Sequence, residues 1–182
     1  MIRFFCHAEP TGARAELARR YAEAFVALKL RLRIIPVEFV QPSTSWAHLQ
    51  TYFLTAEQRP YTNVVCTDPW WWFRYYTVGT RNVLITDQHP AIAAPDAPSS
   101  IKVAAGTKRE VFQGRMVEFE VVEVPHTPPT PASVALQYEA IVVPTRELAE
   151  AWREAGGRQV VVVGLDLAER ARDLEEVLGL TG

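Results

Sequence analysis

The sequence predicts an α/β fold with a doubly wound, mostly parallel sheet in three layers. Short apolar runs of the kind that form strands buried on both faces alternate along the chain with amphipathic helical patterns. The clearest alternation is near the end, where Tyr138 to Val143, Arg146 to Ala155 and Arg158 to Val163 are typical of strand, helix and strand. With 182 residues, the chain has the length of one ordinary domain. We therefore predict a single Rossmann-like domain over residues 1–182.

The opening residues predict a strand, a helix and a second strand. Ile2 to Cys6 is a short apolar run, and Pro10 and Gly12 mark the loop that follows it. Apolar residues then recur at steps of three and four, as an amphipathic helix requires, at Ala15, Leu17, Ala18, Tyr21, Ala22, Phe25 and Leu28. Leu30 to Val37 alternates before it turns apolar, which indicates a strand near a sheet edge. This unit begins a parallel sheet.

The middle of the chain adds a short helix and more strands. Ser43 to Leu54 begins with residues that cap helices, and two buried strands are predicted near Asn63 to Thr67 and Arg81 to Thr86. Ile101 to Ala104 and Arg115 to Val124 are also rich in β-forming residues. The polar residues between these last two segments fit either a hairpin or a short helical detour.

The last part of the chain contains an extended loop and then a terminal helix. Four prolines lie between positions 125 and 131, and they predict a loop that crosses from one part of the sheet to the next. Leu167 to Leu178 is predicted to be a helix that Gly179 ends.

Composition and charge exclude several classes of protein. The formal net charge is −2 and basic and acidic residues are mixed, so nucleic-acid binding is not expected. Cys6 and Cys66 end apolar runs and are predicted to be core residues in a reducing compartment, with a redox pair as the less favoured alternative. The chain shows no signal peptide and no membrane span, which predicts a cytoplasmic protein. Nothing in its motifs indicates a metal or a cofactor.

Candidate ligand-binding residues follow the predicted strands, because ligands of an open parallel sheet lie over the carboxyl ends of its strands. Gly12 stands alone in the first loop, where a dinucleotide fingerprint would have three glycines. It either lets the chain turn into the helix or places a helix N-terminus near an anion. The predicted ligand-binding set is His7, Glu9, Gly12, Asp68, Trp70 and Asp166.

Asp87 and His89 form the candidate catalytic pair. They stand two residues apart in a loop after a buried strand, where an imidazole would be a useful general base for deprotonating a sugar hydroxyl. His89 is the predicted base and Asp87 its orienting group. The alternative is that His89 is an ordinary solvated side chain.

Consecutive aromatic residues near position 70 suggest a binding surface. Three adjacent tryptophans cannot all point inward on a helix or a strand, and exposed aromatic faces stack on sugars or on a partner protein. The predicted interface residues are Trp71, Trp72, Tyr75 and Tyr76. Packing of two of the tryptophans into the core is the competing interpretation.

The order of these segments resembles the amino-terminal, acceptor-side domain of glycosyltransferases of the GT-B fold. The resemblance rests on the strand, Gly12 loop and helix at the start, on Val83 to His89, on Ile141 to Thr145, and on Gly164 to Asp166. A single glycine in the first loop departs from the usual pair. The resemblance implies a half-enzyme or a degenerate relative that binds a sugar or nucleotide sugar.

Two functions follow from these patterns. As a half-enzyme, the protein would need a second, donor-binding domain from a partner chain or from a homo-oligomer. The alternative is a non-enzymatic structural or regulatory protein that docks through Trp70 to Tyr76.

Overall fold

The described chain folds as an α/β domain in which helices pack on a parallel sheet. A computed structural model describes residues 1–9, 11–37, 44–57, 62–66, 69, 81–91, 100–112, 115–125, 130–164, 174, 177 and 178. The strands in these ranges are β1 (Ile2–Cys6), β2 (Leu32–Pro36), β3 (Thr62–Cys66), β4 (Arg81–Ile85), β5 (Ser100–Phe112), β6 (Arg115–Pro125), β7 (Ala140–Val143) and β8 (Val160–Val162). The α-helices are α1 (Ala13–Ala27), α2 (Gln50–Leu54), α3 (Pro131–Ala135) and α4 (Arg146–Glu154), and a 3-10 helix, Thr44–Leu49, precedes α2.

Six of these strands form one parallel sheet, and this confirms the predicted fold class. Their order is β2-β1-β3-β4-β7-β8, and every neighbouring pair is parallel. β1 pairs with β2 on one side and with β3 on the other, so the chain changes direction across the sheet at β1. In a doubly wound sheet the ligand crevice lies at this switch point, outside the carboxyl ends of the strands.

Each face of the sheet carries its own apolar layer, because successive side chains of a strand point to opposite faces. One layer joins Phe4, Val64 and Val83 to Tyr21 and Phe25 of α1. The other layer packs strand residues against α3 and α4. Its buried members are Phe5, Val65, Leu84, Val134, Ala135, Tyr138, Ile141, Val143, Ala149, Trp152 and Val160. Burial on both faces explains why these strands read as continuous apolar runs.

Three helix termini follow from local chemistry. The hydroxyl oxygen of Thr145 accepts the Leu148 N–H at 3.3 Å and caps α4. After α4, Gly156 takes φ +98°, a left-handed conformation that glycine adopts at little cost. This confirms the predicted end of that helix at Gly156 and Gly157. At α3, Thr130 before the helix and Ser133 in its first turn form a reciprocal capping box on either side of Pro131.

Two elements add to what the sequence predicts: the connection between β5 and β6, and the helix α3. β5 and β6 pair with each other in antiparallel fashion, so their connection is a hairpin. The helix α3, which was not predicted, begins at Pro131, the last residue of the predicted proline-rich loop, because proline at the first helical position favours a helix start. The predicted terminal helix falls mostly outside the described residues. None of the described helices is both long and apolar enough to cross a bilayer.

Candidate functional site

The parallel sheet brings the predicted site residues of the first and fourth strands to one edge. His7, Glu9 and Gly12 follow the carboxyl end of β1, and Asp87 and His89 follow that of β4. Only β3 lies between these two strands, so their carboxyl ends are about 10 Å apart at two strand spacings. The two loops therefore leave the same edge of the sheet, close to the switch point.

The β1–α1 loop is held to the body of the protein by side-chain contacts. The His7 ring and the Glu9 carboxylate lie 3.8 Å apart, and the Trp46 indole N–H donates to the Glu9 carbonyl at 3.3 Å. Gly12, the residue before α1, has φ +126°, and the position that a Cβ would occupy is open. This left-handed geometry shows that Gly12 lets the chain turn into α1, and any other residue would be strained there.

A pocket of about 260 Å³ opens beside this loop at the start of α1. We call it the α1 pocket. It lies between the β1–α1 loop, the first turns of α1 and the 3-10 helix. Its walls are formed by Glu9, Thr11, Gly12, Ala15, Glu16, Arg19, Ser45 and Trp46. Hydroxyl, carboxylate and aromatic groups thus share a single concave surface.

The charged side chains in the described lining of the α1 pocket are Glu9, Glu16 and Arg19, and of these Glu16 and Arg19 are paired with each other. Glu16 accepts hydrogen bonds from Arg19 and from Arg20, which hold the pKa of its carboxyl below the usual range. Arg19 also lies 3.5 Å from Glu23. Two carboxylates, Glu9 and Glu16, therefore face the pocket, and no described residue there offers a cation that lacks a carboxylate partner.

The loop after β4 is held by two hydrogen bonds to the backbone of Gln88. The Thr86 hydroxyl accepts the Gln88 N–H at 3.0 Å, and the Trp152 indole N–H donates to the Gln88 carbonyl at 2.9 Å. These bonds leave the side chains of Asp87 and His89 exposed at the edge of the sheet. The loop backbone is rigidly anchored while its two titratable side chains face solvent.

The His89 ring is held by its own loop. The Ala91 N–H donates to Nδ1 of His89 at 3.2 Å, so in the neutral ring Nε2 carries the proton and acts as a donor. In the described part of the chain no hydrogen bond joins Asp87 to His89. The base role predicted for His89 therefore requires the ring to release Ala91 first.

Asp87 instead faces a second, smaller space, which we call the β3 cavity. Its volume is about 10 Å³, enough for about one water molecule. It is lined by Arg14, Leu17, Cys66, Ile85, Thr86, Asp87 and Gln88. Burial first, and then the nearby charge of Asp87, raise the pKa of the Cys66 thiol well above its usual value.

The remaining predicted site residues lie outside the described residues. These are Asp68, Trp70, Trp71, Trp72, Tyr75, Tyr76 and Asp166. Next to the aromatic segment, the carbonyl of Pro69 accepts a hydrogen bond from the buried Tyr138 hydroxyl at 2.7 Å. The ligand-binding and interface roles of these seven residues stay predictions.

Two residues that line the cavities at this edge, Arg14 and Trp46, were not predicted from the sequence. Arg14 and Trp46 look like ordinary helix residues in sequence, and only the strand order places them beside Asp87 and Glu9 respectively. A signal for Arg14 was present, since it follows Gly12 in the first turn of α1. Among the described residues, no group of three or more histidine, cysteine, aspartate or glutamate side chains is placed to hold a metal ion.

Comparisons with protein-family models, with curated proteins and with solved structures give no match to this chain.

Proposed function

We propose that this protein is a glycosyltransferase-like domain that binds a sugar, or the sugar part of a nucleotide sugar, at the carboxyl edge of its sheet. The observation that carries the proposal is the α1 pocket, which lies beside the switch point of a parallel sheet. Ligands of doubly wound folds bind at that position. The resemblance to the acceptor-side domain of GT-B enzymes favours the same edge.

The groups around the α1 pocket suit hydroxyl-rich rings. Sugar hydroxyls donate to carboxylates, and Glu9 and Glu16 supply two of them. The hydroxyls of Thr11 and Ser45 can both donate and accept. A phosphate would meet the Glu9 carboxylate, and the arginine of the described lining, Arg19, is already paired with Glu16, so the site does not favour an anion. We therefore assign the pocket to an uncharged sugar, which places Gly12 beside the acceptor and not beside a phosphate.

In this proposal the β4 loop supplies the polar groups on the other side of the crevice. Asp87 presents an exposed carboxylate that accepts a proton or a hydrogen bond from a sugar hydroxyl. His89 contributes Nε2–H as a donor while Ala91 holds Nδ1, and it serves as the base only in a rotated state. The pair thus acts through two separate contacts with the ligand.

A second domain, from a partner chain or from another copy, would complete the site in this proposal. The α1 pocket, at about 260 Å³, is smaller than the range of about 300–1,000 Å³ that encloses typical ligands. A nucleotide sugar is larger than this pocket can enclose. The donor nucleotide would therefore be held by the added domain, as the GT-B resemblance implies.

A thermal-shift screen tests this proposal. The chain is heated with a panel of monosaccharides, nucleotide sugars and inorganic phosphate, and a ligand at a hundred times its Kd adds about 2.7 kcal/mol of stability. We expect a rise in Tm with one or more sugars and none with phosphate. Glu9→Gln should abolish the rise.

The matched control is Glu150→Gln, because Glu150 is an exposed glutamate on α4, far from the pocket lining. It should keep the full response to sugar. A response to phosphate alone, or equal loss of the sugar response in both variants, would refute the assignment of the α1 pocket.

A further inference from the structure

The fold places the two cysteines of the chain side by side. Cys6 and Cys66 are the only cysteines in the sequence, and they are the last residues of β1 and β3. These strands are neighbours, and Cys6 is the register partner of Cys66. Neighbouring strands lie about 4.8 Å apart, which is inside the Cα separation of about 4.4–6.8 Å that disulfides require.

Both side chains belong to the same apolar layer, so they point to the same face of the sheet. Both are buried free thiols. They differ in one respect: Cys66 lines the β3 cavity, whereas Cys6 is absent from its lining. A small reagent that enters this cavity would therefore meet Cys66 before Cys6.

We propose that Cys6 and Cys66 form a dithiol–disulfide pair that hydrogen peroxide oxidises at the floor of the carboxyl-edge crevice. Hydrogen peroxide is among the smallest two-electron oxidants of thiols, which makes it the reagent best suited to reach Cys66 through so small a cavity. Cys66 is the attacking cysteine and Cys6 the resolving one. This inference does not depend on the sugar ligand.

The reaction balances in two steps. The Cys66 thiolate attacks one peroxide oxygen, the O–O bond breaks, and the released hydroxide takes up the Cys66 proton to form water, which leaves a sulfenic acid. The Cys6 sulfur then attacks the sulfenic sulfur. The S–O bond breaks, the S–S bond forms, and the departing hydroxide leaves as a second water with the Cys6 proton. Two thiols are oxidised and one peroxide is reduced.

The surroundings make this oxidation slow at neutral pH. The groups that face Cys66 are Cys6 on β1, Arg14 and Tyr21 on α1, and Asp87 after β4. Burial raises the pKa of both thiols, and Asp87 raises that of Cys66 further. Because the thiolate is the reactive form, the rate should rise about tenfold per pH unit between pH 7 and pH 9.

The test treats the native chain with hydrogen peroxide and follows it by intact mass and by peptide mapping without reductant. We expect loss of the mass of two hydrogens, a link between the peptides that contain Cys6 and Cys66, and full reversal by a reductant. Titration of thiols after unfolding should then find none in the oxidised protein. Two thiols that still titrate, or a link that forms only between molecules, would overturn the proposal.

Single variants separate the two roles. Cys6→Ser removes the resolving thiol, so Cys66 should accumulate sulfinic acid. Cys66→Ser leaves Cys6 without contact with the cavity, so Cys6 should stay reduced over the same time. Equal oxidation of the remaining cysteine in both variants would contradict the assignment of Cys66 as the attacking residue, while the linked peptide in the wild type tests the pair itself.

Discussion

The two edges of the parallel sheet use polar residues in opposite ways. At the amino edge, buried and half-buried polar side chains are bonded to each other across strands. At the carboxyl edge, Asp87 and His89 are exposed, and the polar contacts of their loop mostly fix its backbone. Side chains of the first kind hold the fold together, and side chains of the second kind remain available to a ligand.

The amino edge contains a row of cross-strand partners. Asn63 on β3 is fully buried and donates from Nδ2 to Oδ1 of Asn82 on β4 at 2.9 Å. The Glu139 carboxylate accepts the Asn82 N–H at 2.6 Å, and Arg81 donates to the Gln159 side chain at 2.7 Å. These hydrogen bonds link β3 and β4 to the residues just before β7 and β8. The bond of Asn63 is the most costly to disrupt, because that side chain is buried.

The largest effect should come from alkaline pH, which acts on acids buried in the apolar layers between the two edges. Burial raises the pKa values of Cys6, Cys66, Tyr21 and Tyr138, so the folded state keeps protons that the unfolded state releases. The contribution of these groups to the free energy of unfolding is therefore fully present below their unfolded pKa values, about 8.5 for cysteine and about 10 for tyrosine. It is lost as the pH rises above those values. Above its unfolded pKa, each group lowers the free energy of unfolding by about 1.4 kcal/mol per pH unit.

Urea unfolding at a series of pH values from 7 to 11 measures this loss. The free energy of unfolding should fall steeply above about pH 9, and Cys66→Ser should fall less steeply. A free energy of unfolding that stays constant up to pH 11 would show that these acids are not buried as described.

The second effect should come from the amino edge itself. Asn63→Ala removes a buried amide and leaves Oδ1 of Asn82 without its donor, so we expect a loss of about 2–3 kcal/mol. Urea unfolding at neutral pH measures it. Asp87→Ala is the matched variant at the carboxyl edge, where an exposed side chain should change stability by less than about 0.5 kcal/mol. Similar losses in both variants would break the comparison between the edges.

The strands and the first helix could be predicted because their apolar residues are spaced so as to lie on the buried faces. Strand order could not be predicted, because neighbours such as Cys6 and Cys66 or Asn63 and Asn82 are far apart in sequence. A polar residue inside a strand also looks the same in sequence whether it faces water or a buried partner. The sequence predicted candidate residues in the loops after β1 and β4. It could not predict the α1 pocket, because that pocket also depends on Trp46, whose position follows from tertiary packing.

The smallest effect compares the two tryptophans that pin the carboxyl-edge loops. Trp152→Phe loses the bond to the Gln88 carbonyl, and Trp46→Phe loses the bond to the Glu9 carbonyl. Each should cost about 1–2 kcal/mol. Amide hydrogen exchange should quicken at Gln88 to Ala91 in the first variant and at His7 to Gly12 in the second. Faster exchange in both loops in each variant would mean that the loops are not anchored separately.

The most direct test of the central claim, that the carboxyl edge is the ligand-binding edge, is a map of backbone amide chemical shifts during titration with the sugars of the thermal-shift panel. We predict shifts concentrated at Glu9, Gly12, Ser45 and Trp46, with further shifts at Asp87 and His89. Shifts concentrated at the amino edge, around Arg3, Asn63 and Asn82, would contradict the account, as would the absence of any shift across the panel.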